Sequence, residues 1–92
     1  REQAEPQLIS VFVMGEANTP GMLKIPPNTS VLQAFAAMGG FTKFAAIKRI
    51  QLRRAATIVP LNYRQIEAGS ASGHMKLRDG DVIIVPQRRL FE

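Results

Sequence analysis

The chain has 92 residues and no cysteine, and 46% of its residues are hydrophobic and 21% are charged. This length and composition indicate one folded domain with a single core, and they exclude a two-domain enzyme and a disordered tail. The absence of cysteine excludes disulfides, thiolate metal sites and thiol nucleophiles, and it leaves the redox compartment open.

The positive charge is concentrated in one part of the chain. There are 12 Lys and Arg against 7 Asp and Glu, a net charge of +5, and no acidic residue occurs between Ala17 and Ile66. This segment fits either a solvated basic surface or a surface that faces an anionic partner. Its basic residues are Lys24, Lys43, Lys48, Arg49, Arg53, Arg54 and Arg64.

The sequence shows neither a membrane-spanning run nor a signal-peptide pattern at its start. No apolar run approaches the roughly 20 residues that span a bilayer, and the first seven residues show no initiator Met and no signal-peptide pattern. We therefore expect the chain to be a piece of a longer protein. We predict a polar N-terminal segment at 1–7, a folded domain at 8–87 and a C-terminal tail at 88–92.

The first predicted element is a strand over 8–14 (LISVFVM), rich in β-branched and apolar residues. Both of its faces are apolar, because Phe12 and Met14 lie opposite the set that contains Val11 and Val13. Another domain or subunit could cover the second face, and end residues or overhanging loops could hide it as well. Phe12 and Met14 are therefore candidate subunit-interface residues.

The next segment predicts a β-hairpin. Residues 15–21 contain Gly15, Pro20 and Gly21, which are residue types that tight turns select. Residues 22–25 return as a short second strand, and a Pro-Pro pair ends it because proline cannot donate to a strand ladder.

The clearest helix begins at Ser30. Gln33, three residues later, completes a capping-box pattern, and Gly39 and Gly40 are suited to end the helix. Its apolar residues follow helical spacing at Val31, Ala34, Phe35 and Met38.

Alternation predicts the third strand over 49–53, with Arg49, Gln51 and Arg53 on the solvent face. Before it, residues 41–46 (FTKFAA) predict a short turn whose two phenylalanines plug the end of the core. After it, residues 57–61 predict a companion strand, and Pro60 favours an edge position.

The last part of the chain predicts a short helical turn capped by Asn62 and a loose polar loop over 69–75. Gly80 and Asp81 belong to a tight turn that leads into a strand over 82–85. Because that strand is apolar on both faces, we place it in the sheet centre.

The element order is strand, strand, helix, strand, strand, helical turn, strand. It indicates an α+β, ubiquitin-like β-grasp fold, with one principal helix packed across one face of a mixed sheet of four to five strands. The predicted core comprises Val11, Val13, Ile25, Val31, Phe35, Met38, Ile50, Leu52, Val82 and Ile84.

Several motifs together resemble the soluble-ligand-binding β-grasp (SLBB) domain. They are VMGE at 13–16, TPG at 19–21, TSVLQA at 29–34, GGFT at 39–42 and RDGDVIIVP at 78–86. The longer form, with Arg53-Arg54 and Asn62-Tyr63, is most similar to SLBB domains of bacterial polysaccharide export proteins.

This resemblance implies a periplasmic module of an outer-membrane machine that exports capsule or exopolysaccharide. It implies three partners: the polysaccharide in transit, other copies of the parent protein in a ring, and an inner-membrane polysaccharide co-polymerase. In this interpretation the residues of the family motifs that shape the turns have a structural role. They are Gly15, Pro20, Gly21, Gly39, Gly40, Gly80 and Asp81.

Catalysis is not indicated. His74 is the only histidine and lies in the Gly-rich loop without a nearby carboxylate, and Asp79 and Asp81 are typical of turns. No metal-ligand spacing or phosphate loop occurs, so we expect no enzyme activity, metal or cofactor. Nucleic-acid binding would rest on charge alone, and we expect none.

An alternative function is that of a stand-alone domain that binds an anionic glycan or another small anion through its basic strand face. A guanidinium group can donate two parallel hydrogen bonds to one carboxylate, which makes Arg49, Arg53 and Arg54 candidate ligand-binding residues. Tyr63 is a fourth candidate ligand-binding residue. It is the only tyrosine and there is no Trp, so the aromatic platform for sugar stacking is poor.

Overall fold

A computed structural model describes residues 7–92. Its five strands are β1 (Ile9–Gly15), β2 (Gly21–Ile25), β3 (Ile50–Arg54), β4 (Thr57–Leu61) and β5 (Val82–Val85). They form one sheet in the order β2-β1-β5-β3-β4, in which β1 and β5 are parallel and the other neighbours are antiparallel. The central position of β5 and the edge position of β4 are confirmed.

The principal helix, α1 (Val31–Ala37), covers one face of the sheet. The Ser30 hydroxyl accepts from the backbone N–H of Gln33, whose side chain accepts from the backbone N–H of Ser30, so the predicted capping box is present. Val31, Ala34 and Phe35 of α1 are buried in a single core with one face of the strands. The mixed sheet with one helix across it confirms the α+β, β-grasp prediction.

The phase of β5 differs from the prediction. Ile83 and Val85 point into the core and are fully buried, whereas Val82 and Ile84 are half-buried on the opposite face. Assigning Val82 and Ile84 to the core was therefore wrong. The VIIV run contains no polar residue that shows which of its side chains face the core. The pairing of β5 with β1 and β3 therefore determines which of them are buried.

The loop before β3 contains another difference. Phe41 packs against the core, with its ring centroid 5.0 Å from that of Phe35. Phe44 is 53% exposed and does not plug the core. Ala45 and Ala46 are buried in its place.

The predicted loose loop at 69–75 is wrong. After the short helix α2 (Tyr63–Glu67), capped by Asn62 as predicted, a 3-10 helix forms over Ala71–His74. Gly73 is buried there, and its backbone packs so closely against Ile66 that a Cβ would lie 2.8 Å from Cγ2 of Ile66. Within residues 7–92, no helix has the length and apolar character needed to cross a membrane.

The predicted turn residues have the backbone geometry that such turns need. Gly15 has φ of +94°, and a Cβ on it would lie 2.0 Å from the carbonyl oxygen of Val85. Only glycine therefore allows β1 to approach the end of β5 so closely. The φ angles of Gly21, Gly39, Gly40 and Gly80 are also positive, and Pro20 lies directly before β2.

Candidate functional site

The sheet face opposite α1 carries two rows of side chains that the register of the strands aligns, and the pair Ser10 and Lys24 extends this face at the β1–β2 edge. The first row takes one residue from each strand, and the second row lies beside it on β1, β5, β3 and β4. Residues that pair across strands share one face of a sheet, so both rows belong to a single surface. We call this surface the open face: Met22, Phe12, Val82, Arg53 and Ile58, then Met14, Ile84, Gln51 and Pro60.

The open face is mainly apolar and solvent-accessible. Phe12 is 40% exposed, Met14 55%, Met22 59% and Ile58 52%. Scattered apolar residues are normal on a protein surface, but neighbouring ones that extend over several strands are typical of a contact surface. The predicted interface residues Phe12 and Met14 thus lie inside a larger apolar surface.

Arg53 is the charged residue in the middle of the open face; Lys24 lies on the same side of the sheet at its β2 edge, paired with Ser10. Its Nε and Nη2 donate to Oε1 of Gln51 at 3.1 and 3.0 Å, and within residues 7–92 it forms no ion pair. Its register neighbours are Val82 and Ile58. A partner that covers this face therefore has to offer Arg53 an oxygen acceptor, because a buried unpaired guanidinium is costly.

Arg54 follows Arg53 on β3, but its side chain does not belong to the open face and has a structural role. Its Nε and Nη2 donate to Oδ1 and Oδ2 of Asp81 at 3.0 and 2.8 Å, and Nη2 also donates to the carbonyl of Lys76. Asp81 accepts a further bond from the backbone N–H of Arg78. Hydrogen bonding to Asp81 raises the pKa of Arg54. The pair joins the end of β3 to the turn before β5.

Arg49 lies near the C-terminal segment. Its Nε and Nη2 donate to the Glu92 carboxylate at 2.6 and 2.9 Å, and Nη2 also donates to the carbonyl of Gln87. The two bonds from Arg49 to this carboxylate, with one from the backbone N–H of Arg89, lower the pKa of Glu92 to about 2. Arg49 is thus already paired with a carboxylate.

Tyr63 belongs to an aromatic cluster with Phe35 and Phe41. Its ring centroid lies 5.8 Å from that of Phe35 and 5.1 Å from that of Phe41, in edge-to-face geometry. The four predicted ligand-binding residues, Arg49, Arg53, Arg54 and Tyr63, thus lie in separate surroundings. Glycan binding by this set stays a prediction.

Sequence reasoning missed four residues of the open face. Met22 and Ile58 were assigned no role, although alternation along their strands would have placed them opposite the buried Ile25 and Leu61. Val82 and Ile84 were assigned to the core.

Comparison with known proteins identifies the family. The family model of the SLBB domain matches residues 10–85, which extend from β1 to the end of β5. No curated protein gives a significant match. Because the match covers most of the chain and the whole sheet, this protein belongs to the SLBB domain family.

Proposed function

We propose that this domain is a non-catalytic, periplasmic module of an outer-membrane polysaccharide export protein. We further propose that its open face packs against another copy of the parent protein in a ring. The apolar open face supports the proposal, because α1 covers only the other side of the sheet. The co-polymerase and the exported capsule or exopolysaccharide are the partners that the family resemblance suggests.

The strength of such a contact can be estimated from four side chains. Phe12, Met14, Met22 and Ile58 retain about half of their exposure, and full burial of such a side chain is worth roughly 1.5–3 kcal/mol. Covering all four would contribute about 3–6 kcal/mol. Association costs at least about 4 kcal/mol in lost freedom, so we expect an isolated domain to be monomeric and a closed ring to hold through repeated contacts.

Thiol accessibility tests the location of the contact, because the domain has no cysteine of its own. Met14→Cys and Met22→Cys should react rapidly with a maleimide in the isolated domain and at least about tenfold more slowly in the assembled parent protein. Ala71→Cys, on the exposed side of the 3-10 helix, is the control and should react equally in both. Equal reactivity at all three positions in both states would refute the contact.

Export itself is tested in the bacterium that carries the gene. Met22→Glu places a charge on the open face while leaving the core intact, so the protein should accumulate normally and surface polysaccharide should fall. Ala71→Glu is the matched control and should export normally. Normal surface polysaccharide in Met22→Glu cells would contradict the proposal.

A further inference from the structure

A concave site separate from the open face lies beside the loop that joins α1 to β3. It is a cavity of about 360 Å³, within the range of about 300–1,000 Å³ that is usual for small-ligand sites. Its lining shares no residue with the open face. The lining comprises Thr42, Lys43, Ala45, Ala46, Ile47, Lys48, Arg64, Arg88 and Glu92.

The backbone around the cavity is tied down from two sides. The backbone N–H of Ala46 donates to the carbonyl of Pro86 at 2.8 Å, and that of Arg88 donates to the carbonyl of Phe44 at 2.7 Å. On the other side, the backbone N–H of Tyr63 donates to the carbonyl of Ile47 at 2.8 Å. These bonds fix three chain segments relative to one another, so the cavity walls are organised before any ligand arrives.

Four cationic side chains from these three segments line the cavity. Within residues 7–92, Lys43, Lys48 and Arg88 form no ion pair, and Arg64 contacts Glu67 only at 3.3 Å on the exposed surface. All four side chains are exposed, and Lys43 Nζ lies 5.3 Å from the centroid of the Phe44 ring. Like charges that line one concave surface make its potential positive and attract anions. An anion bound in the cavity would offset this positive charge.

Glu92 does not neutralise this charge. Its carboxylate is occupied by Arg49 at 2.6 and 2.9 Å and by the backbone N–H of Arg89 at 2.8 Å. With Arg49, it forms a neutral pair. The cavity thus keeps four cations above a floor of Ala45, Ala46 and Ile47.

We propose that this cavity binds a small ligand that carries two or more carboxylate or phosphate groups. Arg64 can hold one oxyanion with its guanidinium fork, and the lysines act as point charges on a second. The apolar floor suits the carbon skeleton that joins the two groups. Such groups occur on acidic units of a polysaccharide and on free small anions, and this inference does not depend on the assembly contact.

Amide NMR titrations of the domain test the site with four probes: trigalacturonate, citrate, inorganic phosphate and neutral maltotriose. The two multivalent carboxylates should shift residues 42–48 and 88, and maltotriose should not. Tighter binding of trigalacturonate than of citrate would identify a polymer unit as the source, whereas equal or weaker binding would identify a free anion. Absence of shifts at 20 mM of every anionic probe would overturn the proposal.

Variants then locate the binding. Lys48→Gln with Arg88→Gln removes two lining charges, and we expect at least a tenfold loss of affinity for the stronger probe. Lys24→Gln with Lys76→Gln removes the same net charge elsewhere on the exposed surface and should change affinity less than twofold. Equal losses in the two double variants would overturn the site, as would a tenfold loss in Arg53→Gln alone.

Discussion

Replacing Arg54 with Met should be more damaging than replacing its partner Asp81 with Asn. Asp81 has 2% of its side chain exposed, whereas the side chain of Arg54 is 24% exposed. Arg54→Met leaves a buried carboxylate with one remaining donor, the backbone N–H of Arg78. Breaking a buried pair in this way costs about 3–5 kcal/mol, and partial exposure of Arg54 places the expected loss near the lower limit, about 3 kcal/mol.

Asp81→Asn has a milder expected effect. The guanidinium of Arg54 can still reach water and the Lys76 carbonyl, and the Asn side chain can keep one acceptor for the Arg78 N–H. The loss should therefore be about 1–2 kcal/mol, the usual cost of a hydrogen bond to a charged group. The asymmetry follows from which of the two charged groups remains buried.

Urea unfolding followed by circular dichroism measures both losses. With a slope of about 1 kcal/mol per molar urea, Arg54→Met should lower the midpoint by about 3 M. Arg53→Met is the matched control, because Arg53 lies next to Arg54 on β3 but is exposed and bonds only Gln51. It should change the free energy of unfolding by less than about 0.5 kcal/mol. A loss of stability in Arg54→Met no greater than that in Arg53→Met, or smaller than that in Asp81→Asn, would refute the stabilising role of the Arg54–Asp81 pair.

Two further predictions concern a close backbone approach and the C-terminal pair. Gly15→Ala should lower the free energy of unfolding in urea by more than about 3 kcal/mol, because its Cβ would overlap the Val85 carbonyl. The control Gly80→Ala adds a Cβ that meets nothing within 4 Å and should cost about 1–2 kcal/mol. Equal costs for the two variants would contradict the steric clash at Gly15. Glu92 should titrate near pH 2 by carboxyl NMR and at a clearly higher pH in Arg49→Gln, still below its ordinary value of 4.5 because the bond from the Arg89 backbone N–H remains. Because the folded-state pKa is lowered, the stabilising pair is fully present above pH 4.5 and is lost as the pH falls through 2; an unchanged titration in the variant would refute the pairing.

Local patterns predicted the elements well where the sequence alternates or carries a cap. Alternation along 49–53 placed Ile50 and Leu52 in the core, and the Ser30 and Gln33 capping box located the start of α1. Both signals arise from neighbouring residues, which the chain brings together by local geometry alone. The order of elements then limited the fold to a β-grasp arrangement.

Long-range contacts determined the features that the sequence did not predict. Arg54 and Asp81 are 27 residues apart, and nothing in their local sequence marks them as partners. Phe41 and Phe44 occupy equivalent positions in an FTKF segment, yet only Phe41 reaches the core, because the backbone bonds of Ala46 and Arg88 hold the loop. The Gly-Ser composition of 69–75 is typical of a loop, and packing of Gly73 against Ile66 overrides it.

The central strand connects the fold to the proposed assembly. A strand that is apolar on both faces is typical of a sheet covered on both sides, and β5 occupies the middle of this sheet. The domain supplies one cover, through α1, against Ile83 and Val85. Val82 and Ile84 face the other way, next to Phe12 and Met14 of β1. Within residues 7–92, no element covers the side of β5 that carries Val82 and Ile84. A neighbouring copy that covered the open face would therefore bury β5 on both sides, as is typical of a strand with its sequence.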